Sequence, residues 1–557
     1  MTADEELQLG LKLCKAGNLP QGVEALRRAI ELRPDLPVAY HYLGNALCDL
    51  KDWSQAVAIF TKAAELWPDH PQTHYDLALA LYEMSEYAAA EAACRQALAR
   101  HEANHQTHAL LGLILRRRRR PDEAAAAYNR SLQLRPDQPQ VLSNMGNALF
   151  DQGRAEDAAA AFTRAIQLQP NLPEAHNSLG NTLRAAGKFD EAEAAYRRAL
   201  ALRPDSLDAA NNIGAVMSAR GQWSEAAAVY RRIIGAHPDY APAHWDLARI
   251  LLGEGDYPAG WREYEWRWRV PDLRLGRRPN SPQWNGEDLN GESLLVFAEQ
   301  GFGDAIQFVR FVPQLAQRGG RQTLRGGRQS LRGGKIILAC RAELVPLFAR
   351  VQGLAQCVPS DQPFPAHHLS CPLLSLAGIL GVTLENLAAP QSYLTAHAQL
   401  AKTWAQRLAA DTRRKIGLVW SGKSFPNPFR SVPPEQLEPI GKVAGIRWIS
   451  LQTGDAAAQP PAGLDTLDLG GELRTFDDTA ALIAGLDMVI TIDTATTHLA
   501  GALGKPTWVL LQRFADWRWG REGQTCPWYP TMRLFRQERQ GDWKAAVQEL
   551  VSALAGL

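Results

Sequence analysis

The sequence predicts an α-helical solenoid followed by two parallel α/β lobes, and three observations carry that prediction. A 34-residue period runs over about residues 1–270. Met488 to Leu511, MVITIDTATTHLAGALGKPTWVLL, reads as strand, turn, helix, turn and strand. The apolar run Ser293–Ala298 leads into Gly301-Phe302-Gly303-Asp304 and then a helical pattern. A period of this length marks a stacked repeat, and βα turns after short apolar strands mark parallel sheets.

The repeat is legible at several phases. Pro34, Pro68, Pro136, Pro170, Pro204 and Pro238 are spaced by 34 or twice 34, with Glu102 in the gap. Gly44, Ala78, Gly112, Gly146, Gly180, Gly214 and Ala248 recur in phase, as do aromatics at Phe60, Tyr128, Phe162, Tyr196, Tyr230 and Tyr264. Small residues let two antiparallel helices cross closely, large ones fill the space between them, and each proline ends the second helix. The pattern resembles the tetratricopeptide repeat, with seven units and an eighth beginning near 239. Stacking such units creates a concave face. Positions two before the small residue, namely Tyr42, Asp76, Asn144, Ser178, Asn212 and Asp246, are expected to line it. An amide both donates and accepts, so such a face suits an extended peptide backbone. The arrangement resembles the repeat arm of O-linked N-acetylglucosamine transferases, although two of these positions are Asn. His74, His108, His176 and His244 share one phase and read as packing rather than metal ligands. Arg116–Arg120 reads as a solvated helix end whose charge suits the dipole.

Gly260 to Trp268 is an aromatic-rich terminal helix, expected to cap the array and join it to the α/β part of the chain. Residues 271–292 read as a linker, 293–410 as one lobe and 411–557 as the other. In the first lobe, strand 335–339 follows strand 293–298. Between them lies RGGRQTL-RGGRQSL-RGGK, a seven-residue tandem repeat from Arg318 to Lys335 that reads as a surface loop. The second lobe begins with strand 416–420, followed by Ser421-Gly422-Lys423 and then Arg430. The turn Asp493-Thr494-Ala495-Thr496-Thr497 opens a helix at the carboxyl end of a strand, where α/β sheets bind phosphates. Asp516-Trp517-Arg518-Trp519 and Trp528-Tyr529 form an aromatic loop that contacts either a base or sugar or the protein's own core.

D-T-x-x-T-H-L-A-x-A-L-G-K-P-T resembles the donor-site signature of the heptosyltransferases, glycosyltransferase family 9, and G-F-G-D-A-I resembles their first βα turn. The resemblance implies a GT-B-like pair of Rossmann lobes. It implies Asp304 as general base for an acceptor hydroxyl. It also implies Ser421, Lys423, Arg430, Glu472, Asp493, Thr494 and His498 as contacts to a nucleotide-sugar donor, with Glu472 near the ribose. Ala495 stands where the family commonly has glycine. Cations at the departing diphosphate would offset its charge, so no metal and no other cofactor is expected.

Composition bounds the partners. Lys+Arg 60 against Asp+Glu 59 gives a net charge of +1, which favours neither nucleic acid nor an acidic membrane surface. No signal peptide and no membrane-spanning run is read. Seven scattered cysteines without a CxxC fit a cytoplasmic protein. The expectation is an inverting glycosyltransferase acting on a protein held by the repeats, flagellin-type surface proteins being one class. The alternatives are a saccharide- or lipid-linked acceptor in surface polysaccharide assembly, and a non-catalytic scaffold with a degenerate transferase region.

Overall fold

The computed structural model describes all residues except 272, 274, 319–320, 324–328, 332–333, 388–390 and 423–427; at 316–318, 321–323, 329–331 and 428 it describes the backbone. The chain forms two compact units, Met1–Asn212 and Ile213–Leu557.

The first unit is built from antiparallel helix pairs in which 13- and 14-residue helices alternate, beginning with Ala3–Lys15 and Leu19–Leu32. The small residues of the period work by contact. A Cβ at Gly44 would lie 2.5 Å from the Phe60 ring, at Gly112 2.6 Å from Tyr128, at Gly146 2.8 Å from Phe162, and at Gly180 2.5 Å from Tyr196. Where the small residue is Ala78, the aromatic position sixteen residues on is the smaller Cys94, which leaves room for the alanine methyl. The turn between paired helices needs a left-handed residue. Gly17, Gly153 and Gly187 supply it in three units, whereas Lys51, Ser85 and Arg119 adopt φ of 60°, 63° and 60° at the same phase.

The in-phase histidines clamp the turns before them. His74 Nε2 donates to the Pro68 carbonyl at 2.8 Å, His108 to Glu102 at 2.8 Å and His176 to Pro170 at 3.0 Å, and Tyr40 does the same to Pro34 at 3.1 Å. The arginine run is the expected helix end, with Arg117, Arg118 and Arg119 exposed, and it also makes ion pairs. Arg118 and Arg120, together with Arg95, converge on the buried carboxylate of Glu91, while Arg116 pairs with Asp151 at 2.8 Å and Arg117 donates to Tyr82 Oη at 3.3 Å. A buried carboxylate demands cations, and the run supplies them across neighbouring helices.

The second unit contains the last repeat helices, Trp223–Ala236, Ala241–Glu254 and Tyr257–Tyr264, and all the strands. In chain order these are β1 Leu294–Phe297, β2 Arg321–Thr323, β3 Gln329–Leu331, β4 Ile336–Cys340, β5 Leu354–Pro359, β6 Leu369–Pro372, β7 Arg414–Leu418, β8 Ile446–Ser450, β9 Thr466–Asp468, β10 Met488–Ile492, β11 Thr507–Leu511, β12 Thr525–Cys526 and β13 Tyr529–Arg536. One sheet runs β5-β4-β1-β6, all parallel; the other runs β12-β13-β11-β10-β7-β8-β9, parallel except for β12. This is the expected pair of α/β lobes following a helical-hairpin array. β2 and β3 form an antiparallel hairpin within the tandem repeat.

The segment expected as a linker is partly built into the first lobe. Gln283 bridges to Ser370 of β6, Trp284 N–H donates to the Ser370 carbonyl at 2.8 Å, and Trp284 is 2% exposed. One apolar core then runs from Ala248, Tyr257 and Trp261 through Val296 and Leu338 to Val489 and Leu511. The last repeat hairpin and both lobes therefore share a single interior.

Candidate active site

The site forms where β1, β7 and β10 end. After β1 the chain passes Glu299-Gln300-Gly301 into the helix Phe302–Phe308, with Asp304 in its first turn. Asp304 does two jobs. Its Oδ2 accepts the Gly301 N–H at 3.1 Å, capping the helix, and its Oδ1 meets Nη2 of Arg518. Arg518 is 8% exposed and spends its other donors on Gln307 Oε1, at 2.6 Å, and Asp516 Oδ1, at 2.7 Å. Burial raises the pKa of Asp304; Arg518 opposes that rise and Asp516 adds to it, and the carboxyl stays above its ordinary value.

On the other lobe, β10 leads into Asp493 and Thr494. Thr494 is extended at φ −140°, ψ 172°, and caps the helix Ala495–Ala502. Its N–H donates to Thr497 Oγ1 at 3.3 Å, and Thr491 holds Thr497 from below at 3.1 Å. The positive end of this helix faces the space between the lobes. Burial pushes Asp493 up to about 6; Asp516 pushes the same way, while Arg430 and Arg518 pull it down.

Glycines let these elements approach. A Cβ at Gly422 would lie 2.9 Å from Arg430 Nε and 3.4 Å from Thr494 Cγ2, so the turn after β7 receives both. Ser421 N–H donates to Gln452 Oε1 at 2.9 Å, and Gly422 N–H to Ser431 Oγ at 3.1 Å, which fixes that turn. A Cβ at Gly303 would lie 2.8 Å from His498 Cδ2 and 3.7 Å from Ala495 Cα. The two helix starts, one from each lobe, are therefore in contact.

The structure brings Asp304, Asp493, Thr494, Ser421 and Arg430 to the strand ends of the two lobes. Two of the expected donor contacts are engaged within the protein. His498 is 5% exposed, with Nδ1 at 2.9 Å from Tyr529 Oη and its ring 5.2 Å from that of Trp519. Burial lowers its pKa to about 3, so it is a neutral strut between the lobes and not a charge facing a diphosphate. Glu472 is paired with Arg407 by two hydrogen bonds of 2.6 Å on the surface. Elsewhere in the second unit, Ser375, Glu265 and Glu299 all accept from the buried Arg267, at 2.8, 2.8 and 2.9 Å. Lys423 lies outside the described residues.

Among the groove residues, Asp76 is largely buried. It accepts from Gln72 at 2.9 Å, sits 3.7 Å from His41 and is raised to about 6 by burial. Asn212 donates to Asn177 at 3.1 Å, a bond between successive repeats. Asn144 and Ser178 are half-buried in the same unit, and Asp246 lies in the second unit, 3.7 Å from Arg249. Arg518 is the residue that sequence reasoning did not join to Asp304. It was visible in the aromatic loop, but 214 residues separate the pair.

Comparison with known families agrees with an array of repeats followed by α/β lobes. Residues 455–541 match glycosyltransferase family 9 (heptosyltransferase), a stretch that holds Asp493, Thr494, His498, Asp516 and Arg518. Residues 183–239 and 217–260 match the tetratricopeptide repeat, and 3–206 match the cilia and flagella-associated protein 70 C-terminal domain. Protein FlbA of Caulobacter vibrioides is 29% identical over 337 residues, 55% of this chain and 54% of FlbA, so the chain spans about half the length of that curated relative. Among solved structures, YrrB, a TPR protein with an unusual peptide-binding site, is 22% identical over 34% of this chain and 96% of its own, with a TM-score of 0.30. PilF of Pseudomonas aeruginosa is 22% identical over 37% of this chain and 94% of its own, with a TM-score of 0.33. The chain carries tetratricopeptide repeats in its N-terminal part and a glycosyltransferase family 9 domain in its C-terminal part.

Proposed function

We propose that this chain transfers a sugar, with inversion and without a metal, from a nucleotide-sugar donor to a hydroxyl of a protein presented by the repeats, in the cytoplasm. The observation that carries the reading is the contact of the two helix starts at Gly303 and Ala495. It puts the carboxylate of one lobe and the phosphate-type turn of the other on a common space.

In the reaction, Asp304 takes the proton of the acceptor hydroxyl as its oxygen bonds to the anomeric carbon. The bond from that carbon to the nucleoside diphosphate breaks on the opposite side. Asp304 suits the role because burial raises its proton affinity without removing its charge partner. Arg430 and the N-terminus of helix Ala495–Ala502 stabilise the charge that develops on the leaving diphosphate. The side chains of Ser421 and Thr494 hold the phosphate oxygens. Asp76, Asn144, Ser178, Asn212 and Asp246 are the repeat positions proposed to meet the acceptor protein.

A thermal-shift screen of the full chain against ADP-, UDP-, GDP- and CMP-sugars is the first test. One donor class is expected to stabilise the chain, by about 2.7 kcal/mol at a hundred times its Kd. Radiolabelled transfer from that donor is the second, with wild type and Asp304→Ala. Stabilisation by none of the four would favour a degenerate transferase region, and equal turnover by the Asp304→Ala variant would remove Asp304 as base.

A further inference from the structure

We propose that the last two repeat hairpins belong to the acid–base apparatus: they clamp the loop 513–521 so that Arg518 is held on Asp304, with Trp223 and Arg521 as positioning residues. This rests on the reading of Asp304 as general base.

The loop leaves β11 of the second lobe and is gripped at both ends by repeat helices. At its start, the Phe514 ring lies 6.1 Å from that of Trp223, edge to face, and covers Gly221, where a Cβ would come within 2.8 Å of it. At its end, the Arg521 guanidinium sits 3.5 Å over the Trp223 ring and donates to the Ile250 carbonyl at 3.2 Å. It lies flat on Gly253, where a Cβ would be 2.6 Å from Arg521 Cζ. One tryptophan of helix Trp223–Ala236 therefore touches both ends of the loop.

Between the two grips, Trp517 is wedged against Tyr257 and Trp261 of the terminal repeat helix, with ring centroids 6.4 and 5.6 Å away. Arg518 is the next residue. Asp516, the loop's own carboxylate, fixes one side of its guanidinium, and Gln307 fixes another. A solvated loop has no need of an arginine pressed on a helix backbone, since desolvating that cation is costly. The contact is accounted for if the loop must not move.

The groups that face Asp304 define what loosening would do. Arg518 and Asp516 come from the loop, the hydroxyl of Tyr264 from the repeat end, and His498 lies across Gly303 on the other lobe. Arg310, on the turn after its own helix, is directed to the Trp528 carbonyl and Tyr393 Oη. Tyr264 and His498 are neutral near pH 7, because burial puts them at about 12 and about 3. Among the described residues, the cation in contact with Asp304 is Arg518. With the loop closed, burial outweighs the pull of Arg518 and holds the carboxyl above its ordinary value, so release of the loop, which hydrates Asp304 as it withdraws Arg518 and Asp516, returns the carboxyl toward that value. The acidic limb of the rate profile, which tracks ionisation of the base, then moves to lower pH.

The test compares full-length wild type, Trp223→Ala, Arg521→Ala and Arg521→Lys, with Gly146→Ala as a control that strains a distant hairpin. Hydrogen–deuterium exchange without substrate is expected to quicken in peptides covering 513–521 and 301–308 for the two alanine variants, and not for Gly146→Ala. With the donor found by the nucleotide-sugar screen, kcat near neutral pH is expected to fall roughly 10- to 100-fold, with donor KM within about twofold of wild type. The acidic limb moves downward, and Arg521→Lys recovers part of both effects. Wild-type exchange in 301–308, or a pH profile superimposable on wild type despite a lower rate, overturns the proposal. A wild type that turns over no donor removes Asp304 as base, whereas the exchange comparison reports separately whether the hairpins hold the loop.

Discussion

The first repeat unit and the α/β lobes are held together over different distances in sequence. In the repeats, Gly146 meets Phe162 sixteen residues on, and His74 reaches a carbonyl six residues back. In the second unit, Trp261 Nε1 donates to the Val382 carbonyl 121 residues away, Arg267 meets Ser375 at a separation of 108, and Arg310 reaches Trp528 across 218. Local contacts recur because each repeat solves the same packing problem. Distant contacts occur once, and each needs the whole fold to bring its partners together. The contrast teaches where this protein is redundant and where it is not: a fault in one hairpin is shared with its neighbours, but a fault in the lobes has no second copy.

That contrast can be broken at its strongest point. Asp304→Ala is expected to lower transfer about 10²- to 10⁴-fold, with circular dichroism unchanged, as read by radiolabelled product. No substitution at Asn144 should match it. Next, Arg267→Ala leaves the buried Glu299 uncompensated, since both side chains are 0% exposed. The loss is expected at about 3–5 kcal/mol in denaturant unfolding, and it should appear in the transition that includes the lobes. Within the repeats, Gly146→Ala pushes a methyl onto the Phe162 ring and should cost about 1–3 kcal/mol, measured the same way but confined to the array's transition.

Two smaller effects sharpen the comparison. Asp493 holds its proton up to about 6, above the ordinary carboxylate range, so its folded form is favoured at low pH and that share of stability is lost as pH rises through about 6. A diphosphate donor should show the same sign. Its affinity is expected to fall roughly fivefold across that window, about 1 kcal/mol for like charges a few ångströms apart, and Asp493→Asn should flatten the slope in calorimetric titration. Last, Lys51→Gly relieves a side chain held at φ 60° and should raise the array's unfolding midpoint, by about 1 kcal/mol. Gly153→Lys, at the same phase, should lower it by a similar amount.

Legibility divided along the same line. The helix pairs, the crossing glycines and the phase of the histidines could be read from the sequence because one pattern repeats in it many times. The lobes were legible where a motif is continuous, at Gly301–Asp304 and Asp493–His498. The run 116–120 is legible as a helix end, but the convergence of Arg118 and Arg120 on Glu91 is not, because Glu91 lies on an earlier helix. The pairing of Glu472 with Arg407 was likewise not legible, because the two are distant in sequence.

The sequence by itself determined the repeat period, the order of array and lobes, and the two turns that open the site, because each depends on residues a few positions apart. Only the tertiary structure decided that Arg518 sits on Asp304, that His498 is a neutral strut and that the final hairpins share a core with the lobes. Those facts depend on burial and on charges brought together from opposite ends of the chain, and desolvation acts on a group only when the fold has closed around it.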